Sequence, residues 1–308
     1  IDLGTGRTAT AISAGGAHTC ALLDNASVKC WGRNSYGQLG IDNGTRMGND
    51  SGDMAVLPSI DLGTGRTATA ISAGNEHSCA LLDNASVKCW GRNDYGQLGI
   101  DNNTTMGKYP GEMAMLPVVN LGTGRTATAI AVGEEHNCAI LDNASVKCWG
   151  RNKTGQLGID NRTTMGIASG QMAMLPVVNL GTGRTATAIS SMQQHVCALL
   201  DNASVKCWGQ GGDGQNGQEK NHHRGDDTDS RNSMTTLPGI NLGTGVTATA
   251  IGTGRSHSCA ILDNASVKCW GRNDKGQLGL GDTNSRGKDA NTMGDNSSEM
   301  AVLPSVDL

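Results

Sequence analysis

The chain has 308 residues and a formal net charge of −4, with 45 glycines, 10 cysteines and no phenylalanine. This balanced charge offers no basic patch for phosphate groups, so no nucleic-acid partner is predicted. No apolar run approaches the roughly 18 residues of a membrane-spanning helix, so no membrane span is predicted either.

One segment, residues 18–32, recurs four more times along the chain, and its Leu-Asp-Asn-Ala-Ser-Val-Lys-Cys-Trp-Gly part returns without substitution. The spacing between copies is 59 residues three times and then 62. Regular self-similarity of this length is typical of a repeat protein. The sequence therefore predicts a single domain over residues 1–308, with repeats at approximately 1–59, 60–118, 119–177, 178–239 and 240–308.

Each repeat begins with a Gly-Thr-Gly-Arg turn, at residues 4–7 in the first copy, whose glycines permit positive φ. Strands are predicted next over residues 8–14, 19–23 and 28–31. A variable polar loop leads to a last strand over residues 55–62, whose proline suits a sheet edge. Four short strands per repeat, with glycine at the corners, predict an all-β propeller of five four-stranded blades.

The cysteines occur two per repeat and ten positions apart, at Cys20/Cys30, Cys79/Cys89, Cys138/Cys148, Cys197/Cys207 and Cys259/Cys269. If Cys20 faces Cys30, Leu23 faces Ser27, and residues 24–26 form a three-residue hairpin loop whose third position is usually left-handed. Directly opposed residues lie about 4.5 Å apart at Cα, within disulfide reach. Five disulfides and an oxidising compartment are predicted, the alternative being pairs of buried thiols.

The pattern His-x-Cys-Ala-Leu-Leu…Val-Lys-Cys-Trp-Gly-Arg-Asn…Tyr-Gly-Gln-Leu-Gly resembles the RCC1 (regulator of chromosome condensation) repeat, and the resemblance covers essentially the whole chain. It implies a propeller with one repeat per blade. Seven blades are familiar in that family and five repeats are present here, so a closed five-bladed ring is favoured and part of a larger ring is the alternative. The cysteine pairs resemble a secreted or microbial branch of the family.

Family resemblance does not by itself deliver function. The roles it implies include nucleotide exchange on a small GTPase, chromatin docking, enzyme inhibition and scaffolding. A disulfide-bearing, slightly acidic chain fits the exchange role poorly. The chromatin role needs basic contacts to phosphate that this sequence lacks.

Two aromatic sets recur once per repeat. The histidines, which in a ring could bind a metal or an anion, are His18, His77, His136, His195 and His257. A structural role through hydrogen bonds to neighbouring backbone is favoured, because no carboxylate accompanies them consistently. The tryptophans, which could stack on sugars, are Trp31, Trp90, Trp149, Trp208 and Trp270. Packing between blades is favoured for them.

Asparagines two residues before Ser or Thr are candidate N-glycosylation acceptors in a secreted eukaryotic protein, although turn chemistry alone also explains them. They are Asn25, Asn43, Asn49, Asn84, Asn102, Asn103, Asn143, Asn152, Asn161, Asn202, Asn264 and Asn296.

The fourth repeat departs from the others over residues 210–229. Histidines His222 and His223 lie near several aspartates and could bind a cation, and residues 224–226 spell the adhesion tripeptide Arg-Gly-Asp. A longer solvated loop is the favoured interpretation, in a position where partners often bind.

The last residues, Val-Asp-Leu at 306–308, duplicate Ile-Asp-Leu at 1–3, and one closed ring has room for only one copy. The other copy is free to pair with another molecule's edge. Together with the in-phase cut and the lack of a start methionine, this predicts one unit of a longer or assembling extracellular protein, such as a filament or surface coat.

No nucleophile, base and acid stand out, and five similar repeats argue against one asymmetric active site. The sequence predicts a non-enzymatic extracellular scaffold without a cofactor. Its expected partners are other copies of itself or other extracellular proteins, bound through end strands and loops, with attached glycans. The alternative is a secreted inhibitor-like or lectin-like binding module that uses the variable loops of one propeller face.

Overall fold

A computed structural model describes residues 1–218, 222–227, 232–288, 300 and 302–307. Each repeat forms a three-stranded antiparallel sheet in chain order, which confirms the predicted all-β propeller class with one blade per repeat. The strands are β1 Ala9–Ala14, β2 His18–Leu23, β3 Val28–Gly32, β4 Ala68–Ala73, β5 His77–Leu82, β6 Val87–Gly91, β7 Ala127–Val132, β8 His136–Leu141, β9 Val146–Gly150, β10 Ala186–Met192, β11 His195–Leu200, β12 Val205–Gly209, β13 Ala248–Thr253, β14 His257–Leu262 and β15 Val267–Gly271.

The chain forms two compact units. The first consists of Ile1–Asp142, Trp149–Arg151 and Thr164–Leu175, and the second of Asn143–Cys148, Asn152–Thr163 and Pro176–Leu308. In the first unit, the core between the first two sheets contains Val28 and Leu39 from one blade and Leu82 and Trp90 from the next. The second unit has an equivalent core with Val205 and Trp270. The single domain and the repeat boundaries stay predictions.

The hairpin register matches the prediction. Cys20 faces Cys30. The Leu23 N–H donates to the Ser27 carbonyl, and the Leu23 carbonyl accepts the Ala26 N–H. Ala26 has a left-handed φ of 60°. Disulfides join Cys20–Cys30, Cys79–Cys89, Cys197–Cys207 and Cys259–Cys269, whose Cα atoms lie 4.0 to 4.1 Å apart, and Cys138 and Cys148 are disulfide-bonded as well. Each blade is therefore stapled within its own hairpin.

The predicted fourth strand over residues 55–62 is wrong, so the blades are three-stranded rather than four-stranded. Its first residues belong to a single helical turn, α1 Asp53–Val56, and the second repeat has the equivalent α2 Glu112–Met115. The Asp53 carboxylate stabilises the turn because it accepts the backbone N–H groups of three preceding residues. The remaining segment attaches to β3 through one bond, from the Ile60 N–H to the Val28 carbonyl at 2.9 Å.

Both helices have four residues. Across the described residues, no helix has the length and apolar character that crossing a bilayer requires.

The left-handed hairpin alanine generates a stability prediction. Ala85, the second-repeat counterpart of Ala26, has a φ of 61°. Because a Cβ is unfavourable there and glycine is not, Ala85→Gly should raise the free energy of unfolding by about 1 kcal/mol in urea denaturation. Ala80→Gly, at a fully buried position within β5, is the matched control and should lower it. Destabilisation by both substitutions would contradict the prediction.

Candidate functional site

The recurring histidine lies in a hydrogen-bond network that joins consecutive blades, here called the inter-blade lock. The His18 Nε2 atom lies 2.8 Å from the Ser78 Oγ atom of the next blade. Ser78 donates its hydroxyl to the Gln38 carbonyl at 3.0 Å, and the Trp90 indole N–H donates to the same carbonyl at 3.1 Å. One backbone oxygen of the first blade thus accepts two hydrogen bonds from the second.

The same lock recurs along the chain. Its members are His77, Asn137, Gln97 and Trp149 in one place, and His195, Ser258, Gln215 and Trp270 in another. Trp208 likewise donates to the Gln156 carbonyl at 3.0 Å. The predicted structural role of the histidines agrees with these hydrogen bonds. The predicted partner does not, because it is a side chain of the next repeat rather than neighbouring backbone.

Burial keeps these histidines neutral. Desolvation lowers the pKa of His18 to about 4, with the neighbouring His77 as a smaller cause, and lowers the pKa of His77 to about 4. Desolvation also lowers the pKa of His195 to about 3. Among the described residues, no three His, Cys, Asp or Glu side chains converge to hold a metal ion. His18, His77 and His195 therefore act as hydrogen-bonding groups in the blade junctions.

The tryptophans do not form a common sugar-stacking surface. Trp90, Trp149, Trp208 and Trp270 have no exposed surface. Trp31 in the first blade differs, because it is only half-buried and borders a cavity of about 400 Å³. Packing between blades accounts for four of the five.

A row of charged side chains crosses the first three repeats. Arg33 and Arg92 lie 3.0 and 2.8 Å from the two oxygens of Glu76, and Arg151 pairs with Glu135. The carboxylates are only 12 % exposed, whereas the arginines remain accessible. We call these five residues the arginine–glutamate row.

Two tyrosines extend this row. The Arg92 guanidinium lies 5.1 Å from the ring centre of Tyr36, and that of Arg151 lies 4.7 Å from the ring centre of Tyr95, within cation–π distance. The sequence interpretation missed the row. Its signal was an arginine after Trp-Gly in the first three repeats and, in the second and third repeats, a glutamate directly before the histidine.

The glycosylation candidates divide by exposure. The exposed ones are Asn25, Asn43, Asn49, Asn84, Asn102, Asn103, Asn143, Asn161, Asn202 and Asn264. At the hairpin tip, the Asn25 side-chain oxygen accepts the Ser27 hydroxyl at 2.8 Å and leaves the amide nitrogen outside this bond. Asn152 is fully buried and its amide nitrogen donates to the Asn161 carbonyl, which does not suit a glycan acceptor, and glycosylation at the whole set stays a prediction. Asn296 lies outside the described residues.

The atypical fourth-repeat loop folds back on the blade where it is described. Arg224 and Asp226 are 6 % and 3 % exposed, so residues 224–226 are not displayed as an adhesion tripeptide. Asp226 pairs with Arg162 at 2.7 Å, and Arg224 donates to Asn232 at 2.6 Å. Residues 219–221 and 228–229 of the predicted cation-binding loop lie outside the described residues.

Comparison with protein families identifies the repeat. A model of the regulator of chromosome condensation (RCC1) repeat matches residues 9–38, 68–97, 127–156, 187–215 and 248–277. A second model of the same repeat matches residues 27–81 and 86–140. The five matches of the first model each include a complete stapled hairpin.

Two similar curated proteins are longer than this chain. Ultraviolet-B receptor UVR8 of Arabidopsis thaliana is 25% identical over 272 residues, which cover 88% of this chain and 55% of UVR8. E3 ubiquitin-protein ligase HERC2 of Homo sapiens is 28% identical over 279 residues, which cover 89% of this chain and 5% of HERC2. The chain thus spans about half the length of UVR8 and a small fraction of HERC2.

Solved structures share the fold. Human WBSCR16 aligns over 98% of this chain and 68% of its own length, with a TM-score of 0.71 and 19% identity. Prp20p from Saccharomyces cerevisiae aligns over 97% of this chain and 64% of its own, with a TM-score of 0.67 and 21% identity. At these identities, the likeness concerns the fold alone.

The buried histidines generate a pH prediction. Since burial lowers their pKa values, the folded protein binds fewer protons than the unfolded chain between about pH 6.5 and pH 4. Their stabilising contribution should be complete above about pH 6.5 and should be lost as the pH falls through this window. For His77 the loss should be roughly 3 kcal/mol in the free energy of unfolding.

His77→Gln tests this assignment, because glutamine keeps a hydrogen-bonding group but does not titrate. Urea denaturation between pH 7 and pH 4 should show a flatter pH dependence for this variant. His222→Gln, at an exposed position, is the control and should keep the wild-type slope. An unchanged slope in His77→Gln would show that His77 does not titrate as described.

Proposed function

The chain belongs to the regulator of chromosome condensation (RCC1) repeat family, and on this premise we propose that it is a non-enzymatic protein-interaction scaffold outside the cell. Its partners are other extracellular proteins or other copies of itself. The observation that carries this proposal is the inter-blade lock, which uses the recurring His and Trp side chains to fix one blade against the next.

Rigid blades suit a scaffold better than a catalyst. The residue types that could have formed a reactive site are instead buried: His77 bonds to Asn137, and Cys79 is joined to Cys89. A short-loop disulfide contributes roughly 2–3 kcal/mol in the chain-entropy account. Each blade is therefore a rigid support that holds its surface loops in fixed positions.

The arginine–glutamate row is the favoured partner surface. Arginine and tyrosine are enriched among residues that dominate protein–protein binding, and here they are held in place by ion pairs and ring contacts. The repeats fold like Prp20p, whose binding properties concern Gsp1p and histones. Prp20p therefore shows that this fold can bind other proteins, although it does not identify the partner of this chain.

The disulfides support an oxidising, extracellular location, since such bonds persist in secreted proteins and are rare in the cytosol. Exposed acceptors such as Asn25 and Asn84 are available for glycans if the source organism glycosylates. A filament or surface coat built from repeated subunits is the extended form of this proposal.

A secreted binding module is the second candidate. The observation that favours it is the anchored fourth-repeat loop, where the buried Asp226 carboxylate holds Arg162 and fixes the described part of the loop. Such a loop would present one surface to one ligand, in the manner of an inhibitor or a lectin. Partner contacts on residues 210–229, rather than on the arginine–glutamate row, would favour this candidate.

The compartment can be tested by mass spectrometry of native material. Without a reductant, all ten cysteines should resist alkylation, because they are bonded in pairs. Enzymatic deglycosylation should convert exposed acceptors such as Asn25 to aspartate and should leave the buried Asn152 unchanged, which serves as the internal control. Ten freely alkylated cysteines would contradict the extracellular assignment; a lack of glycans alone would withdraw only the glycan proposal.

The partner surface can be tested by cross-linking native material and mapping the linked peptides. Partner contacts should fall on the arginine–glutamate row, and Arg92→Ala should reduce them at least about fivefold, because it removes ion pairs and a ring contact together. Arg66→Ala is the matched control, since Arg66 pairs with Asp83 elsewhere on the surface. Equal yields for both variants would reject the row as the contact.

A further inference from the structure

The sequence contains two Asn-Gly steps, Asn43-Gly44 and Asn216-Gly217. Asparagine in such a step readily loses its side-chain amide, because glycine has no Cβ atom to obstruct attack by its own backbone nitrogen. The two steps lie in different surroundings, and these surroundings decide which of them can react while the protein is folded.

The first step is open to solvent, since Asn43 and Gly44 are both exposed. Within the part of the chain that the structure describes, the Gly44 N–H makes no hydrogen bond, so its nitrogen is available. The Asn43 side-chain oxygen accepts the Thr45 N–H at 2.9 Å, and its nitrogen donates to the Ile41 carbonyl at 3.1 Å. This Asx turn directs the side chain toward the peptide that follows it, where the attacking nitrogen lies.

The second step is closed. Asn216 has no exposed surface, and its amide nitrogen donates to the His222 carbonyl at 2.8 Å. The Gly217 N–H donates to the Gly214 carbonyl, also at 2.8 Å, so the attacking nitrogen is occupied. Reaction there requires that these bonds break and that water enters. The fold therefore protects the second step.

The loop around Asn43 recurs in the next two repeats with a different residue after the asparagine. Asn102 and Asn161 are exposed as well. Their side chains make the same two hydrogen bonds, to the threonine N–H two residues ahead and the isoleucine carbonyl two residues back, at 2.7 to 3.2 Å. They are followed by Asn103 and Arg162, whose side chains obstruct the attack. The three loops thus differ at the position that controls the reaction.

We propose that Asn43 is a site of spontaneous deamidation in the folded protein, with water as the co-reactant. The Gly44 nitrogen attacks the Asn43 Cγ atom and forms a bond with it, while the bond from Cγ to the side-chain nitrogen breaks. Ammonia leaves with the proton from the Gly44 nitrogen, and a cyclic succinimide remains. Water then opens the ring at either carbonyl, which gives aspartate or isoaspartate. No group is oxidised or reduced.

The product places a new charge beside a contact between the first two repeats. Asp42 directly precedes the site, and its carboxylate accepts the N–H groups of Gly111 and Met113 at 3.0 and 2.9 Å. Deamidation adds a second negative charge next to this carboxylate. Isoaspartate also lengthens the main chain by one carbon atom, because the chain then runs through the former side chain. The reaction therefore alters the loop that carries this contact.

The amide of Asn43 is also a candidate glycan acceptor, since Thr45 follows at the required spacing. A glycan would be attached to the nitrogen that deamidation releases, so the two modifications compete for one group. Enzymatic deglycosylation converts asparagine to aspartate, whereas it does not form isoaspartate. Isoaspartate is therefore the product that identifies the proposed reaction.

Incubation of the unglycosylated, disulfide-bonded 308-residue chain at about pH 8 in heavy-oxygen water tests the proposal. Peptide mapping by mass spectrometry, with fragmentation that distinguishes isoaspartate from aspartate, follows each asparagine over time. Asn43 should give both products and incorporate the heavy oxygen. Asn102 should react at least about tenfold more slowly, and Asn216 should stay unchanged. In urea, Asn216 should react at a rate similar to that of Asn43.

Two reciprocal substitutions exchange the controlling residue between repeats. Gly44→Asn should slow the reaction at Asn43 by about tenfold or more. The added side chain fits, because Gly44 has no left-handed φ and its Cβ would lie 3.4 Å from the nearest atom, in Lys108. Asn103→Gly should accelerate the reaction at Asn102 by a similar factor. Asn216 reports in the same experiment whether each variant is folded, since it reacts only on unfolding.

An Asn43 that persists in the folded chain, yet reacts in urea, would overturn the proposal. Equal rates at Asn43 and Asn102 would overturn it too, as would an Asn102 whose rate does not change in Asn103→Gly. These results do not bear on the scaffold function, because the experiment involves no partner and no second copy.

Discussion

The architecture depends on a backbone carbonyl that serves two donors. The Gln38 oxygen accepts a hydroxyl and an indole N–H from the following blade, so neither donor is buried without a partner. Residues 37–40 form the turn that carries this oxygen. The turn approaches the second blade so closely that an added Cβ at Gly37 would lie 2.5 Å from the Gly107 backbone, and one at Gly40 would lie 2.7 Å from the Trp90 indole. The cost of burying polar groups is thereby avoided at the point where two blades meet.

This constraint explains why the second residue of each His-x-Cys segment matters. Ser78, Asn137 and Ser258 each supply a polar group that reaches a histidine and a carbonyl together. The histidine must remain neutral to fit there, which links blade packing to proton binding. The same hydrogen bonds therefore hold consecutive blades together and make the stability of the fold depend on pH.

Local features could be predicted from the sequence, whereas contacts between repeats could not. The cysteine spacing determined the hairpin register, and with it the left-handed Ala26, because strand pairing and loop length are local geometry. The predicted last strand was wrong because residues 53–56 form a helical turn, whose Asp53 carboxylate accepts the backbone N–H groups of the loop before it. Trp31 and Trp90 lie in identical local sequences, yet their burial differs, since burial depends on which blade lies next to each.

The short-range disulfides have a consequence for biosynthesis. The two cysteines of each pair are ten positions apart, whereas equivalent cysteines of neighbouring repeats are 59 or 62 residues apart. Closing a short loop costs less chain entropy than closing a long one, so the correct partner is also the nearest in the nascent chain. In an oxidising compartment we expect every hairpin to form its disulfide soon after synthesis, before a later repeat of the same sequence can compete for its thiols.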